Sequence, residues 1–204
     1  RKKIEQLHKD YALGMLWFLG HDSRVPEHMR TEMSDWGLPK DEFTDTENFP
    51  NQIYVREARR MVGEYVMFES NVSKENRVLA NHSVGVGTYA LDCHYVSKVL
   101  DENGKLRYEG TIFKPTVPYT ISYYSLVPKR KECSNLLVPV CMSASHVAYS
   151  TIRMEPVYMV LGQSAAVAAS MAIDSNVAVQ DVSYDQLAKK LVKIKYISLV
   201  NLIM

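Results

Sequence analysis

The stretch NLLVPVCMSASHVAYSTIRMEPVYMVLGQSAAVAASMAI, residues 135–173, decides the fold of this chain. Its first part, LLVPVC at 136–141, is a compact apolar run that predicts a buried strand. A loop of small residues at 143–146 follows, and an alanine-rich helix then begins at Pro156, because proline suits the first helical turn. This order predicts an α/β fold in which a helix N-terminus can bind an anionic group, although purely structural strand–helix units share the pattern.

The alanine-rich segment at 156–173 also passes a first test for a membrane span. It contains no charged residue over 18 positions, which is close to the lower limit for crossing a bilayer. However, three polar side chains interrupt it, those of Gln163, Ser164 and Ser170, and alanine is commoner than leucine or isoleucine. These features favour a helix that is buried within a soluble protein, and we expect no membrane partner.

The rest of the chain predicts more helices and several short strands. Apolar residues recur at helical spacing in four segments, at 2–19, 26–36, 53–68 and 183–193. An acidic loop is expected at 38–51. From residue 78 the pattern changes to β-type runs at 84–100, 106–113 and 119–128, with a turn at 102–105 between the first two. The fold class predicted is therefore α/β in the broad sense, a mixed α+β arrangement.

Composition excludes several classes of protein. Hydrophobic residues make up 47% of the 204 residues and charged residues 23%, which are values of a soluble globular protein. The formal net charge of +1 predicts no binding of nucleic acid or of an anionic membrane through bulk charge. The three cysteines lack C-x-x-C spacing, so we expect neither a metal site nor a disulfide framework.

The residues from Gly85 to Ala90, GVGTYA, match the dinucleotide-binding pattern G-x-G-x-x-A. Their surroundings do not fit that motif, because residues 75–83 are polar and β-branched or aromatic residues follow. We therefore interpret this segment as a strand or bend in which backbones approach closely.

Four ordered blocks of the sequence resemble one family. Residues 135–173 resemble the C-terminal signature of bacterial FAD-dependent oxidoreductases, a group often mislabelled as xanthan lyases. Three earlier blocks are similar to that family in the same order, at 50–67, 84–99 and 118–129. The resemblance covers roughly residues 50 to 190. It implies FAD as the cofactor and a two-domain, glutathione-reductase-like fold whose flavin accepts hydride from a small, sugar-like or polyol substrate.

The resemblance also implies a division of the chain. Residues 1–130 are expected to be a substrate or cap region, and residues 131–204 the C-terminal segment of the FAD-binding domain. The dinucleotide motif of the family is expected in a missing N-terminal half, so the chain is interpreted as a fragment. The loop that faces the isoalloxazine ring and the helix after it then supply the cofactor-binding residues, which are Ser143, Ala144, Ser145, Glu155 and Gly162.

Two residues of this region are catalytic candidates. His146 could move a proton to or from a substrate hydroxyl, or its ring could simply be satisfied by the backbone of a tight loop. Arg153 could balance charge on the reduced flavin or hold a substrate carboxylate, or it could pair with Glu155 or another acid.

Substrate contacts are predicted in the first 130 residues. Asp92 and His94 are two residues apart and share a face of a strand, as an acid–base pair or as a surface pair. The remaining candidates are arginines that could line an anionic pocket or cover a solvated helix face, and tyrosines that could stack on a sugar or pack in a sheet. They are Arg56, Arg59, Arg60, Tyr119, Tyr123 and Tyr124.

A non-catalytic alternative remains open at this stage. Half of a flavoprotein would expose an apolar face, and such a fragment could act as a binding domain that forms a homodimer. A carbohydrate lyase is a weaker reading, because no acid and base around a uronate site stand out. The aliphatic tail from residue 194 does not fit the family, and the compartment, cytoplasmic or periplasmic in a bacterium, is not predicted.

Overall fold

The computed structural model describes residues 2–57 and 59–194, which form helices and small antiparallel sheets. The helices in this part of the chain are α1 (Lys2–His21), α2 (Glu27–Ser34), α3 (Glu69–Val72), α4 (His146–Ile152), α5 (Glu155–Ser175) and α6 (Tyr184–Lys193). The strands are β1 (Ser83–Gly87), β2 (Leu91–Cys93), β3 (Ser97–Leu100), β4 (Leu106–Glu109), β5 (Ile112–Lys114) and β6 (Tyr119–Ser122). The mixed α/β class is confirmed. The chain divides into two compact units, Arg1–Glu57 and Ala58–Met204.

The first unit consists of two helices and an acidic loop. α1 and α2 pack against each other, and Pro26 precedes α2 with a φ of −53° that suits a helix start. The Arg30 side chain of α2 donates a 2.7 Å hydrogen bond to the carbonyl of Val25, which is buried. The loop contains one 3-10 turn, Thr44–Thr46. The two helices and the loop predicted for this region are confirmed.

The second unit contains three two-stranded antiparallel sheets, which pair β1 with β6, β2 with β5, and β3 with β4. The hairpin between β3 and β4 turns at the predicted position, and Gly104 adopts a φ of +74° there. The predicted β-type region is therefore confirmed, although each strand is only three to five residues long.

The core of the second unit lies where α5 packs on β1. The Ser164 hydroxyl of α5 donates a 2.7 Å hydrogen bond to the Val84 carbonyl of β1. A Cβ atom on Gly85 would lie 3.0 Å from Leu161 of α5, and one on Gly87 would lie 2.2 Å from the Tyr119 hydroxyl. These glycines therefore permit close packing of a strand, as expected, and do not form the turn of a dinucleotide site.

The helix predicted at 53–68 is wrong. The described residues of this segment are not helical, and four of their amides donate to carbonyl oxygens far away in the sequence. These bonds join Met61 to Cys141, Glu64 to Val127, Tyr65 to Tyr124, and Met67 to Ser143, at 2.9 to 3.1 Å. A Cβ atom on Gly63 would lie only 2.5 Å from the Val127 carbonyl oxygen. The long-range acceptors replace the i→i−4 bonds of a helix, so the apolar period did not decide the local structure.

The strand predicted at 136–141 is also wrong. This run is irregular and its side chains are partly exposed, while the amide of Val138 donates to the carbonyl of Leu126 at 2.9 Å. Pro139 lacks an amide hydrogen and cannot continue a ladder. The loop at 143–146 leads into α4, a separate helix that was not predicted, and α5 follows it with Pro156 in its first turn as expected.

Among the described helices, α5 is long and apolar enough to cross a membrane by length and composition alone, with a mean hydropathy of 1.4. Core helices of globular proteins share these properties. Its residues Leu161, Ala165 and Ala168 are buried in the second unit, next to β1 and α6. The described part of the chain therefore has the character of a soluble domain.

Candidate functional site

The loop before α4 is buried and held on both sides. The Ser143 hydroxyl accepts a 2.9 Å hydrogen bond from the Gly63 amide, and the Ser143 amide donates to the Ser125 carbonyl at 2.8 Å. The Ser145 amide donates to the Met67 carbonyl at 2.8 Å, while the Ser145 hydroxyl caps α4. The amides of Ser143 and Ser145, which were predicted to face a cofactor, thus bond within the protein.

The third loop residue, Ala144, contacts an arginine. Its carbonyl oxygen accepts a 3.0 Å hydrogen bond from Nε of Arg60, and the Arg60 guanidinium lies 5.1 Å from the centre of the Tyr149 ring. This arginine was predicted on a helix face together with Arg56 and Arg59. With the helix absent, Arg56 is exposed in the first unit above the Tyr54 ring, and Arg59 is exposed in the second unit.

A mainly apolar cleft of about 350 Å³ lies at the start of α5. Its walls come from the end of β1, the residues after it and the first turns of α5: Val86, Thr88, Tyr89, Met154, Pro156, Val157 and Val160. The first amides of a helix have no acceptor within it, so those of Glu155 and Val157 are available at this end, whereas Pro156 has none. Glu155 itself is exposed. The cleft therefore has mainly apolar walls and lies at the positive end of a 21-residue helix.

Gly162, which was predicted to contact the cofactor, lies two turns further along α5. A Cβ atom there would meet nothing within 4 Å. The space beside this glycine is therefore open, and its contact with the cofactor stays a prediction.

Three charged or titratable side chains meet where β2 packs against α4. Nη2 of Arg153 donates to the Asp92 backbone carbonyl at 2.8 Å and lies 3.3 Å from Oδ2 of the Asp92 carboxylate. Nε2 of His94 is 3.3 Å from the same Oδ2. The side chains are 2% exposed for Arg153, 24% for Asp92 and 45% for His94, so the cluster runs from the interior to the surface.

Asp92 and His94 lie in contact, as both alternatives for them require, and Arg153 pairs with Asp92 rather than with Glu155. Nε of Arg153 is buried and has no hydrogen-bond acceptor among the described residues. A guanidinium without exposed surface cannot touch a substrate directly, so it acts on its surroundings through Asp92 and through its charge.

His146 begins α4 and is partly buried, with its Nε2 atom inside the protein. One turn later, the Tyr149 hydroxyl donates to the Val140 carbonyl at 3.0 Å and lies 2.7 Å from the hydroxyl of Tyr158 in α5. Burial, together with the Tyr149 hydroxyl, raises the pKa of Tyr158 far above its usual value. Tyr158 is thus a neutral donor near the site, and no signal in the sequence singled it out.

Tyr119 and Tyr123 lie in the core rather than on a surface that could stack on a sugar. Both are 0% exposed; the Tyr119 hydroxyl is 3.0 Å from that of Thr151, and the Tyr123 hydroxyl donates to the Val179 carbonyl at 2.7 Å. Burial raises the pKa of both phenols. Their place in this structure agrees with the packing alternative.

The described residues contain no group of three or more His, Cys, Asp or Glu side chains that could hold a metal ion. The three cysteines are free, and Cys93 is buried.

A comparison with known protein families gave one match. The family model described as FAD dependent oxidoreductase matches residues 1–191, nearly the whole chain. No curated protein and no solved structure matches this chain.

Proposed function

Since this chain belongs to the FAD-dependent oxidoreductase family, we propose that it supplies the C-terminal and substrate-binding parts of a flavoenzyme that oxidises a small, sugar-like or polyol substrate. FAD is the cofactor of the family, and when bound it supplies the two-electron acceptor. The single observation that carries the assignment is the family match over residues 1–191. The cleft at the start of α5 supports the part of the proposal that concerns the ring system.

The described residues fit one half of FAD. An isoalloxazine ring is flat and largely apolar, and it carries carbonyl oxygens that accept hydrogen bonds. The cleft offers apolar walls from Val86, Met154 and Val157, and the amides at the α5 N-terminus are suitable donors to such oxygens. We propose this cleft as the ring site. Among the predicted cofactor-binding residues, Glu155 is the nearest in sequence to the residues that line the cleft.

The pyrophosphate half requires another segment. A dinucleotide site uses a parallel strand, a glycine-rich turn and a helix, whereas every strand pair in the described residues is antiparallel. We propose that a separate N-terminal half carries this unit and completes the glutathione-reductase-like fold. On this proposal residues 131–204 belong to the FAD-binding domain and residues 1–130 to the substrate or cap region.

The chain's own residues would then bind the substrate and control its protons. Arg153 directly precedes Met154 of the cleft wall, so its buried positive charge favours anionic states that form nearby. The loop of Ser143 to Ser145 fixes the start of α4 and, through α4, the position of Arg153. His146 stays a candidate for proton transfer. Because its Nε2 atom is buried, Nδ1 is the atom that would exchange a proton with the substrate.

The ring site can be tested with lumiflavin, which is the isoalloxazine ring without ribityl phosphate or adenosine. We expect the full chain to quench lumiflavin fluorescence, and we expect Thr88→Trp to weaken this binding at least tenfold because Thr88 is an exposed residue of the cleft wall. Thr111→Trp is the matched control, because Thr111 is exposed on the link between β4 and β5. Equal binding by the two variants, or no binding by the parent chain, would contradict the site.

A second candidate is a non-catalytic binding domain that forms a homodimer. It is favoured by exposed apolar side chains on α5, where Met159 is 72% and Ile173 is 78% exposed. Sedimentation equilibrium and lumiflavin binding together separate the two candidates. A parent chain that is a dimer, dissociates on Met159→Glu and binds no lumiflavin supports the non-catalytic alternative. A monomeric parent chain that binds lumiflavin excludes it.

A further inference from the structure

We propose that His94 accepts the proton of the substrate hydroxyl and that Asp92 positions its imidazole, with Arg153 as the buried anchor of the pair. The inference deepens the proposed function, on which it rests for the nature of the substrate, a secondary alcohol. It assigns the proton transfer to a different histidine from the one that the sequence favoured.

Asp92 is anchored by contacts with Arg153 and α4. Its backbone carbonyl and its carboxylate both contact Nη2 of Arg153, at 2.8 and 3.3 Å, and its amide donates to the Ser150 hydroxyl of α4 at 3.2 Å. The Arg153 side chain is 2% exposed, so water cannot replace Asp92 as its partner. Without Asp92 the guanidinium would be a buried charge with no acid beside it. Asp92 is therefore fixed at its backbone and at its side chain.

The contact with Asp92 determines the tautomer of the His94 imidazole. A carboxylate only accepts hydrogen bonds, so the 3.3 Å contact between Asp92 Oδ2 and His94 Nε2 requires the proton on Nε2. The lone pair then lies on Nδ1, on a side chain that is 45% exposed. A fixed tautomer with an accessible lone pair is what a proton acceptor needs.

His146 is less accessible than His94. His146 is the first residue of α4, and its Nε2 atom is buried. A substrate hydroxyl therefore has less access to the His146 ring than to the His94 ring. His94 also follows directly after β2, whose residue Asp92 is bonded to α4, so the pair shares one packed unit with the α4–α5 region that contains the cleft wall.

The chemistry of the step balances with the flavin as oxidant. The substrate O–H bond breaks and its proton moves to Nδ1 of His94. The C–H bond of the same carbon breaks with both electrons, and the hydrogen leaves as hydride to the flavin. The carbon–oxygen double bond forms, so the alcohol is oxidised to a carbonyl compound and the flavin is reduced.

The positioning role can be tested without substrate by nitrogen-15 NMR of the histidine rings in the full chain. We expect the Nε2–H tautomer of His94 in a larger proportion than in a free histidine side chain, and we expect Asp92→Asn to lower that proportion, because a neutral amide oxygen is a weaker acceptor than a carboxylate. Asp101→Asn is the matched control, because the Asp101 carboxylate accepts a 2.9 Å hydrogen bond from Arg107 on the β3–β4 hairpin. If Asp92→Asn fails to fold, Arg153→Lys should give an intermediate tautomer mixture. A proton on Nδ1 in the parent chain, or identical spectra in the variants, would overturn the positioning role.

The proton transfer is tested by anaerobic bleaching of the flavin in the FAD-loaded protein that includes the proposed N-terminal half, with sorbitol and D-glucose as probes. We expect His94→Ala to slow bleaching about 100-fold or more, with partial recovery in added imidazole, and Asp92→Asn to slow it about tenfold at unchanged KM. Bleaching of His94→Ala at the parental rate would overturn this inference. No bleaching of the parent by either probe would instead overturn the proposed substrate class, while the NMR result would stand for the pair.

Discussion

Two glycines of the second unit have opposite roles at the scale of single residues. Gly87 faces the Tyr119 ring, where a Cβ atom would lie 2.2 Å from the hydroxyl oxygen, and Tyr119 is 0% exposed and cannot move aside. We expect Gly87→Ala to lower the free energy of unfolding by about 2 kcal/mol or more, because it overpacks the core. Urea unfolding followed by circular dichroism gives this value.

Gly162→Ala is the control for that prediction. Gly162 lies within α5, and a Cβ atom there meets nothing within 4 Å. Alanine is the better helix former, so the variant should gain up to about 1 kcal/mol. A loss of stability in Gly162→Ala similar to that in Gly87→Ala would show that the packing argument is wrong.

The pairing of Arg153 with Asp92 gives a second prediction for single residues. Asp92→Ala leaves the guanidinium buried without an acid, and we expect a loss of about 2–3 kcal/mol, reduced from that of a fully buried pair because Asp92 is 24% exposed. The double variant Asp92→Ala/Arg153→Met should recover part of that loss, since the buried charge is gone. Urea unfolding of the parent, Asp92→Ala, Arg153→Met and the double variant forms a double-mutant cycle, and strictly additive losses would contradict a coupled pair.

The candidate site also shows how far sequence can specify residues. The spacing of Asp92 and His94 placed them on one face of a strand, and the structure pairs them. For Arg153, pairing with an acid was the alternative to a catalytic role; its acid partner lies 61 residues away in sequence, and only the packing of β2 on α4 brings them together. The buried state of Tyr119 could not be read from its β-type segment for the same reason, because the residues that cover it come from elsewhere in the chain.

At the scale of elements, the spacing of apolar residues predicted correctly the helices that pack by one face. It failed where backbone amides donate to carbonyl oxygens that are distant in sequence. α1, α2, α5 and α6 lie within about two residues of their predicted positions. Residues 53–68 have a helical apolar stripe, yet their amides bond to carbonyl groups at 124–143. The run at 136–141 is apolar but includes Pro139, and it forms no ladder in the structure.

The packing of α5 leads to a prediction at the same scale. Ala168 is 0% exposed in the core, whereas Ala166 is exposed on another face of the helix. We expect Ala168→Leu to cost about 1–3 kcal/mol of unfolding free energy because it inserts three heavy atoms into a filled core. Ala166→Leu should change it by less than about 0.5 kcal/mol. Thermal unfolding of both variants measures these changes. Equal losses of unfolding free energy in the two variants would show that α5 does not pack by the face that contains Ala168.

At the scale of the whole molecule, the family model spans both compact units, while the interpreted site residues other than Arg56 lie in the second. The predicted division at residue 130 concerns substrate and cofactor roles rather than compactness, and it stays a prediction. The tail after residue 194 lies outside the described residues.

Within the second unit, Arg130 joins parts that are distant in sequence and makes stability depend on pH. Its guanidinium binds the Asp181 carboxylate through two hydrogen bonds, at 2.5 and 2.6 Å, and this contact holds the pKa of Asp181 below its usual value. The Arg130 amide similarly lowers the pKa of Glu64. Native carboxyl groups with lowered pKa bind fewer protons than the unfolded chain, so this stabilisation is present above about pH 4 and is lost as the pH falls through the native pKa values.

Arg130→Gln separates the two contacts, because glutamine retains the backbone amide that serves Glu64 but removes the guanidinium that serves Asp181. The native pKa of Asp181 should then rise towards its unfolded value, and the unfolding free energy of the variant should fall less steeply than that of the parent between about pH 5 and pH 2. Lys131→Gln removes the same charge from the next exposed residue and should keep the parental slope. Urea unfolding at a series of pH values measures both slopes. A parental slope in Arg130→Gln would mean that Asp181 titrates alike in the folded and unfolded chains, and the pH dependence would then have to come from Glu64 and the other carboxylates with lowered pKa.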